Sequence, residues 1–227
     1  AKISGTDLTA SCKVKVISNP GNLYGYLLHD WHGSSNNKVI SFDPAKPTKY
    51  KTQAEILKFV YAGEYVNGYY YCYDSNGYLY KVDPKSWVYR NIGKSDSKIV
   101  EMTFDYTDNT MYGISSTGHA TNLVRINLNT GETTDIGAQS SKVVAMTSVP
   151  SEDYKSSRIY AVNEDRKLVT IDKETGKDTT DPDSSKYDIP AVSYVQSMTY
   201  DHSSGYIYWA QVNQAQSSSL YVMDLGE

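Results

Sequence analysis

A phrase of two short strands joined by a turn recurs along the chain, and this recurrence limits how the chain can fold. The clearest copy spans residues 123–137, with the sequence LVRINLNTGETTDIG. Alternating strands that end in Asp or Asn lie at 39–43, 79–83, 123–127, 168–172 and 220–224. The terminal Asp or Asn side chain can accept hydrogen bonds from N–H groups of the turn that follows. The phrase therefore marks five copies of one structural unit.

A tyrosine that follows one or two apolar residues precedes each of these strands. These anchor residues are Tyr24, Tyr71, Tyr112, Tyr160 and Tyr208, separated by 47, 41, 48 and 48 residues. A further strand upstream carries Met102, Met146 or Met198 in three of the units. Because they recur at one structural position, we expect the tyrosines in the core or in packing between blades and the methionines in the core. No stretch of 12 residues shows helical periodicity.

Units of four short strands at this period predict an all-β fold, a five-bladed β-propeller of four-stranded antiparallel blades. A lone four-stranded meander cannot bury both of its faces, whereas sheets arranged around an axis bury them against one another. A solenoid of the same period is the alternative, but its repeats hold helices or single strands. We predict one domain, with blades at 13–54, 57–93, 99–137, 143–189 and 194–227, the last completed by 1–5.

The two ends of the chain predict how the ring closes. The fifth unit stops before its fourth strand, and residues 14–24 align without a gap with residues 198–208. Lys13–Ile17 is therefore interpreted as the first strand of blade 1, and Ala1–Gly5 as the outer strand of blade 5. This pairing would remove exposed sheet edges.

Charge and composition exclude several classes of function. Twenty-two basic and 26 acidic residues give a net charge of -4, which lacks the basic surface that nucleic-acid binding needs. No apolar run approaches the 18 residues typical of a membrane span. The 22 tyrosines, against 3 Trp and 3 Phe, are typical of a secreted or cell-surface β protein. Since the chain starts without Met or a signal peptide, we expect a mature form or an excised domain.

The sequence predicts neither a metal nor another cofactor. Cys12 and Cys72 either form a disulfide or are two buried thiols, and no CxxC motif is present. His29 and His32 are a poor metal signal on a loop without a visible third ligand. Residues 74–77, DSNG, resemble part of a calcium loop, but a tight Asn-Gly hairpin accounts for them.

A glycoside hydrolase acting in the central funnel is the enzymatic alternative. It needs two carboxyl groups roughly 5–9 Å apart. The acidic residues in or beside the innermost strands are Glu64, Glu101, Asp105 and Asp201. Asp105 and Asp201 repeat at one place in their units and are interpreted as turn formers. Only Glu101 replaces a small residue of the sibling units, so it is a weak catalytic candidate and we expect a non-enzymatic protein.

The connection between the second and third strands of each unit varies in length. From anchor Tyr to terminal Asp or Asn it takes 12 residues in units two and four, but 19, 15 and 16 in units one, three and five. Alternating strand directions place these connections on one face, where loops on a rigid frame carry function. Their predicted ligand-binding residues are His29, Asp30, Trp31, His32, His119, Trp209, Gln211 and Asn213. The alternative is that they are tolerated, solvated insertions.

The repeats, with Met-Thr-Phe/Tyr-Asp followed by Tyr and then Leu-x-x-Ile-Asn/Asp-x-x-Thr-Gly, resemble propeller repeats of secreted and surface proteins of gut bacteria. Residues 5–17 resemble the closing strands of group 2 bacterial Ig-like domains. The resemblance implies the architecture of a secreted or surface protein rather than an activity. With the long b–c connections it leads to our first hypothesis, an extracellular, monomeric binding module for a glycan or a host or partner protein. A polysaccharide-active enzyme and a structural spacer of a larger surface protein remain alternatives.

Overall fold

The computed structural model describes residues 23–27, 37–56, 60–191, 196–212 and 218–225. The strands of the described residues are β1 Leu23–Leu27, β2 Asn37–Phe42, β3 Tyr50–Ile56, β4 Val60–Val66, β5 Tyr69–Asp74, β6 Tyr78–Asp83, β7 Val88–Lys94, β8 Ile99–Asp105, β9 Thr110–Ser116, β10 Thr121–Ile126, β11 Thr133–Ala138, β12 Val143–Pro150, β13 Ser157–Asn163, β14 Leu168–Ile171, β15 Asp178–Thr180, β16 Ser197–Asp201, β17 Tyr206–Val212 and β18 Ser218–Met223. A short 3-10 helix, Ser184–Lys186, follows β15. Within these ranges no helix is long or apolar enough to cross a membrane.

The strands form five antiparallel sheets in a ring, so the predicted five-bladed propeller is confirmed. Each sheet keeps the order of the chain: β1–β3, β4–β7, β8–β11, β12–β15 and β16–β18. Closure by Ala1–Gly5, the first strand at Lys13–Ile17, and Cys12 all fall outside the described residues. The exact blade boundaries therefore stay predictions.

In blades 2 to 5 the first strand lies innermost, because β4, β8, β12 and β16 contact one another in succession around the ring. We letter the strands of a blade a to d from the axis outward. In blade 3, Ile99 at the start of strand a pairs with Ser115 beside the b–c hairpin. Asp105 at the other end pairs with Thr110 beside the a–b hairpin. All b–c hairpins therefore lie on one face of the ring, the b–c face, and the a–b hairpins lie on the opposite a–b face.

The core lies between neighbouring blades, where apolar side chains of one sheet meet those of the next. Residues of blades 2 and 3 share one buried cluster, residues of blades 3 and 4 a second, and residues of blades 4 and 5 a third. The three repeated methionines and four of the anchor tyrosines are buried, as predicted: Met102, Met146, Met198, Tyr71, Tyr112, Tyr160 and Tyr208. Tyr24 is not in the core, since it is 64% exposed. Its ring lies beside Trp87 of blade 2, with 6.4 Å between centroids, so it takes part in packing between blades.

The repeated glycines mark backbone contacts between blades. A Cβ atom on Gly93, in strand d of blade 2, would overlap the carbonyl oxygen of Thr130 in the next blade. Gly131 takes a positive φ of 74° in that c–d turn, and its carbonyl accepts a hydrogen bond from the Tyr73 hydroxyl at 2.6 Å. Gly137 and Gly176 repeat the contact one blade further on. The Thr-Gly and Ile-Gly pairs of the repeat therefore fix the spacing of neighbouring blades.

The strand-terminal Asp and Asn side chains act in the turns as predicted. The side-chain oxygens of Asp43, Asp83, Asn127 and Asp172 each accept the N–H two residues further on, at 2.8–3.0 Å. Residues 74–77 form the tight hairpin, in which Asp74 Oδ1 accepts from the N–H groups of Asn76 and Tyr78. The sequence thus predicts the local turn chemistry of the blades from the residue types alone.

Candidate functional site

The b–c face holds the residues predicted to bind a ligand, but five of them lie outside the described part of the chain. These are His29, Asp30, Trp31, His32 and Asn213. Their role stays a prediction. The described part of this face contains His119, Trp209 and Gln211, which lie in different settings.

His119 is exposed in a four-residue turn, 117–120, between β9 and β10. The turn is closed by a hydrogen bond from the Thr117 N–H to the Ala120 carbonyl at 3.1 Å. Lys142 of the next blade donates from Nζ to the Gly118 carbonyl at 3.0 Å. The imidazole is therefore exposed to a ligand. The hairpin that carries it is stabilised by a hydrogen bond within the turn and by another from the neighbouring blade.

Trp209 and Gln211 lie inside the molecule rather than at the surface. Both belong to β17, which runs on to Val212, further toward the b–c face than the sequence predicts. Trp209 is 1% exposed and packs on Tyr221 with 5.1 Å between ring centroids. Gln211 is 2% exposed and donates from Nε2 to the Ala191 carbonyl at 3.2 Å. In this conformation, these two side chains support the base of the loop and offer little surface to a ligand.

Glu64 occupies a position on the axis where other blades carry threonine. It pairs across its hairpin with the anchor Tyr71, as Thr103 pairs with Tyr112. Thr147 and Thr199 hold the same register in blades 4 and 5. Thr103 Oγ1 accepts the N–H of Ser148 at 2.8 Å, which links the inner strands of blades 3 and 4. The structure therefore places Glu64, which the sequence puts in or beside an innermost strand, on the axis with Glu101.

The Glu64 carboxyl group binds free N–H groups of two inner strands. Oε1 accepts the N–H of Tyr65 at 2.8 Å, and the backbone of Phe104 in blade 3 also stabilises the charged form. Burial nevertheless dominates and raises the pKa of Glu64 to about 7. Glu64 thus places a carboxyl group with a raised pKa where blade 3 has the hydroxyl link of Thr103.

Glu101 is the most deeply buried carboxyl group of the axis, at 2% exposure. Its Oε1 accepts the N–H of Met102 at 3.0 Å, while Oε2 has no hydrogen-bond partner among the described residues. Burial raises the pKa of Glu101 well above its usual range, and the nearby Glu64 carboxylate raises it further. The backbone of Met198 lowers the pKa in part, which places the Glu101 carboxyl beside the inner strand of blade 5.

Burial raises the pKa of both axial carboxyl groups, and the charge of Glu64 raises the pKa of Glu101 further. A protonated, buried carboxylic acid beside a second carboxyl can donate a proton to a bound oxygen. In the described ranges, no group of three or more His, Cys, Asp or Glu is arranged to hold a metal ion.

Asp105 and Asp201 act as turn formers, as predicted. Asp105 Oδ1 accepts from the Thr107 N–H and Asp201 Oδ1 from the Ser203 N–H, both at 2.9 Å. Asp105 also binds Lys173 Nζ of the next blade at 2.7 Å. Burial alone would raise the pKa of Asp105, but the hydrogen bonds from Lys173, Ser157 and Thr107 lower it below its usual value. Asp105 is therefore a charged link between blades 3 and 4.

Neither a protein-family model nor a curated protein matches the chain. Solved structures do match over most of its length. One is the crystal structure of a nidogen/laminin complex, with 12% identity, coverage of 90% of this chain and 78% of that chain, and a TM-score of 0.55. TolB from Acinetobacter baumannii shows 11% identity over 90% of this chain and 50% of that chain, with a TM-score of 0.52.

A third similar structure is an auxiliary nutrient binding protein from Bacteroides thetaiotaomicron. It has 13% identity, covers 84% of this chain and 54% of that chain, and gives a TM-score of 0.49. At such low identities these similarities concern the fold alone. They leave the predicted secreted context and the Ig-like neighbour as predictions. The structural comparisons therefore establish this chain as a β-propeller and assign it no activity.

Proposed function

We propose that the chain is a non-enzymatic, extracellular binding module that recognises a glycan or a partner protein through its b–c face. The observation that carries the proposal is the direction of the strands, which places the described b–c hairpins at one end of the ring. Loops on such a frame can vary without loss of the fold, and binding residues concentrate on them. The same face also receives the connections between successive blades.

His119 supports the proposal because it is exposed on this face and its hairpin is held in place by Lys142. The two other long connections carry the predicted His29, Trp31 and His32 and the predicted Asn213. Aromatic rings and planar hydrogen-bonding groups suit the apolar faces and hydroxyl groups of a sugar, and they equally suit a peptide.

Glycan-array screening of the intact chain tests the proposal. We expect wild-type protein to bind a restricted set of glycans, and a variant with Ala at His29, Trp31, His32 and His119 to lose at least tenfold in affinity. Lys46→Ala, in a c–d turn on the opposite face, is the control and should bind as wild type does. Equal binding by the loop variant and the wild type would contradict the proposed face. A spacer domain would bind no glycan and no host-surface protein.

A polysaccharide-active glycoside hydrolase is the second candidate, and one observation favours it. The axis carries two carboxyl groups, and the pKa of Glu101 is raised by burial and by Glu64. Hydrolysis of a glycosidic bond uses such a pair, with one group protonated and the other available as nucleophile or base. Glu101→Gln and Glu64→Gln should each abolish any cleavage of polysaccharide by the wild type. Cleavage that persists in Glu101→Gln would remove this assignment.

A further inference from the structure

The ends of four inner strands carry aromatic side chains on the a–b face. Tyr65 lies near the end of β4, Tyr106 follows β8, Tyr154 follows β12 and His202 follows β16. The tyrosines are 53%, 39% and 49% exposed, in that order, and His202 is also exposed. We name these four residues the aromatic collar. It surrounds the axis on the face opposite to the long b–c hairpins.

His202 holds the collar together. Tyr106 meets the imidazole edge-on, with 5.2 Å between ring centroids and 87° between planes. Tyr154 stacks on the imidazole at 5.9 Å and 23°, and its hydroxyl lies 3.1 Å from His202 Nδ1. The Tyr106 hydroxyl donates to the Tyr65 carbonyl at 3.4 Å. Rings from blades 3 and 4 therefore converge on the imidazole of blade 5, which limits their rotation before a ligand arrives.

Tyr154 reaches the collar through an insertion that only blade 4 carries. Met146 precedes its anchor tyrosine by 14 residues, whereas Met102 and Met198 precede theirs by 10. The backbone of Tyr154 has a φ of 55°, a conformation that is costly for a bulky side chain. Ser151 stabilises the loop, because its carbonyl accepts the N–H of Tyr154 at 2.9 Å and its hydroxyl oxygen accepts the N–H of Ser156 at 3.2 Å. The insertion thus fixes an exposed ring over His202 at the cost of local strain.

The electrostatics of the collar disfavour an anionic ligand. Its members are three phenols and one imidazole, and burial lowers the pKa of His202. The ammonium group of Lys173 is already paired with Asp105 at 2.7 Å and with Asp108 at 3.0 Å. The carboxylate beside His202 is that of Asp201, which accepts hydrogen bonds from the Ser203 N–H and the Ser204 hydroxyl. A neutral ligand fits this setting, whereas an anionic lipid or peptide would meet a negative charge.

The size of the collar favours a small ligand over a protein. The centroids of the Tyr106 and Tyr154 rings lie only 5.2 and 5.9 Å from that of His202. The surface that these rings form is far smaller than the roughly 800 Å² that each partner buries in a stable protein interface. Stacking on His202 covers one face of the Tyr154 ring, and the half-exposed side chain presents the other face to solvent. An exposed, pre-oriented aromatic face beside phenol and imidazole hydrogen-bonding groups matches a pyranose ring, which has apolar C–H faces and a hydroxyl edge.

We propose that the aromatic collar is a carbohydrate site, in which a neutral oligosaccharide stacks on Tyr154 and Tyr106 and bonds through its hydroxyl groups to the phenol and imidazole edges. This site is separate from the b–c face, and neither depends on the other. A chain that carries both could hold a polysaccharide on one face while the other contacts its own ligand.

Immobilised neutral hexasaccharides of glucose, mannose, galactose and xylose test the collar, with affinity measured for wild type and for variants. We expect wild type to bind at least one of them, Tyr154→Ala to lose about tenfold in affinity, which corresponds to roughly 1.4 kcal/mol, and Tyr154→Phe to retain most of it. Tyr50→Ala is the matched control, because Tyr50 is 50% exposed on an outer strand away from the collar.

Two results would overturn the collar proposal: no binding of any of the four hexasaccharides by wild type, or equal affinities of wild type and Tyr154→Ala. His119→Ala separates the two sites. Binding that is lost in His119→Ala and kept in Tyr154→Ala assigns the sugar to the b–c face and excludes the collar. Since Tyr154 is half-exposed in a surface loop, Tyr154→Ala should fold with an unchanged far-UV spectrum.

Discussion

Single residues on the axis decide how the inner strands are joined. The free N–H groups of these strands need acceptors, since a buried donor without a partner costs free energy. Thr103 supplies a neutral hydroxyl to Ser148, whereas Glu64 and Glu101 supply carboxyl groups. A carboxyl group satisfies the same donors, but its charge is disfavoured by burial. Two of the links on the axis are therefore sensitive to pH.

We predict that wild-type stability falls as the pH rises from about 4.5 to about 7. Burial raises the pKa of Glu64 to about 7, so the folded state holds a proton that the unfolded state releases from pH 4.5 upward. The contribution of Glu64 to stability is lost through this window and its loss is complete above pH 7. One pKa unit corresponds to about 1.4 kcal/mol, so the loss from Glu64 is at most about 3.5 kcal/mol.

Urea unfolding of wild type and Glu64→Gln between pH 4 and pH 8 measures this effect. Glutamine resembles the protonated acid, so the variant should lack the part of the fall of unfolding free energy with pH that Glu64 causes. It should therefore be the more stable protein at pH 8. Parallel stability profiles of the two proteins would contradict the raised pKa. Glu132→Gln, an exposed control on a c–d turn, should leave the profile unchanged.

The Thr103 link between blades 3 and 4 gives a second residue-scale prediction. Thr103→Val keeps the shape of the side chain but leaves the buried N–H of Ser148 without its acceptor. We expect a loss of about 1–3 kcal/mol in the free energy of unfolding, measured by denaturant titration. Thr52→Val, on the exposed surface of β3, serves as the matched control and should change little. A loss for Thr103→Val no larger than that of the control would refute the role of this hydrogen bond.

At the scale of the strand and hairpin, glycine sets how closely adjacent blades approach. Gly93→Ala should destabilise the protein by about 1–3 kcal/mol, because the added methyl group meets the rigid Thr130 carbonyl. Gly25→Ala is the control, since its Cβ would meet Phe42 at an ordinary 3.4 Å. Thermal unfolding of the two variants provides the comparison. A melting temperature for Gly93→Ala equal to that of Gly25→Ala would show that blade spacing tolerates the methyl group.

The hairpins also show which parts of the structure the sequence can predict. Strand-terminal Asp and Asn, repeated Gly and buried Met follow from residue type and period, because each unit repeats the same local chemistry. Glu64 was not recognised as an axial partner of Glu101, because it precedes its anchor tyrosine by 7 residues whereas Thr103 precedes its own by 9.

The signal that could have corrected this alignment is the turn at Asn67 and Gly68. Both residues take positive φ values, 49° and 87°, as a two-residue hairpin turn requires. A turn that is shorter by two residues brings Glu64 into the register of Thr103. The burial of Trp209 and Gln211 was harder to predict. Their strand extends beyond the repeat by pairing with β18, a tertiary effect that residue type does not encode.

At the scale of the whole molecule, the ring depends on how its ends meet. The sequence assigns Ala1–Gly5 to the outer strand of blade 5, where β18 is the outermost described strand. Deletion of residues 1–5 should then expose an edge and lower the melting temperature by several degrees. Replacing the same residues with a Gly-Ser segment of equal length controls for chain length and should be equally destabilising. A melting temperature unchanged by the deletion would contradict closure by this strand.

The binding role is tested most directly by incubating the intact chain with the polysaccharides that it retains and measuring both bound sugar and new reducing ends. We predict that the wild type binds saturably and releases no reducing ends, and that Glu101→Gln gives the same result. Release of reducing ends by the wild type that Glu101→Gln abolishes would contradict a non-enzymatic module and assign the axial carboxyl pair to catalysis.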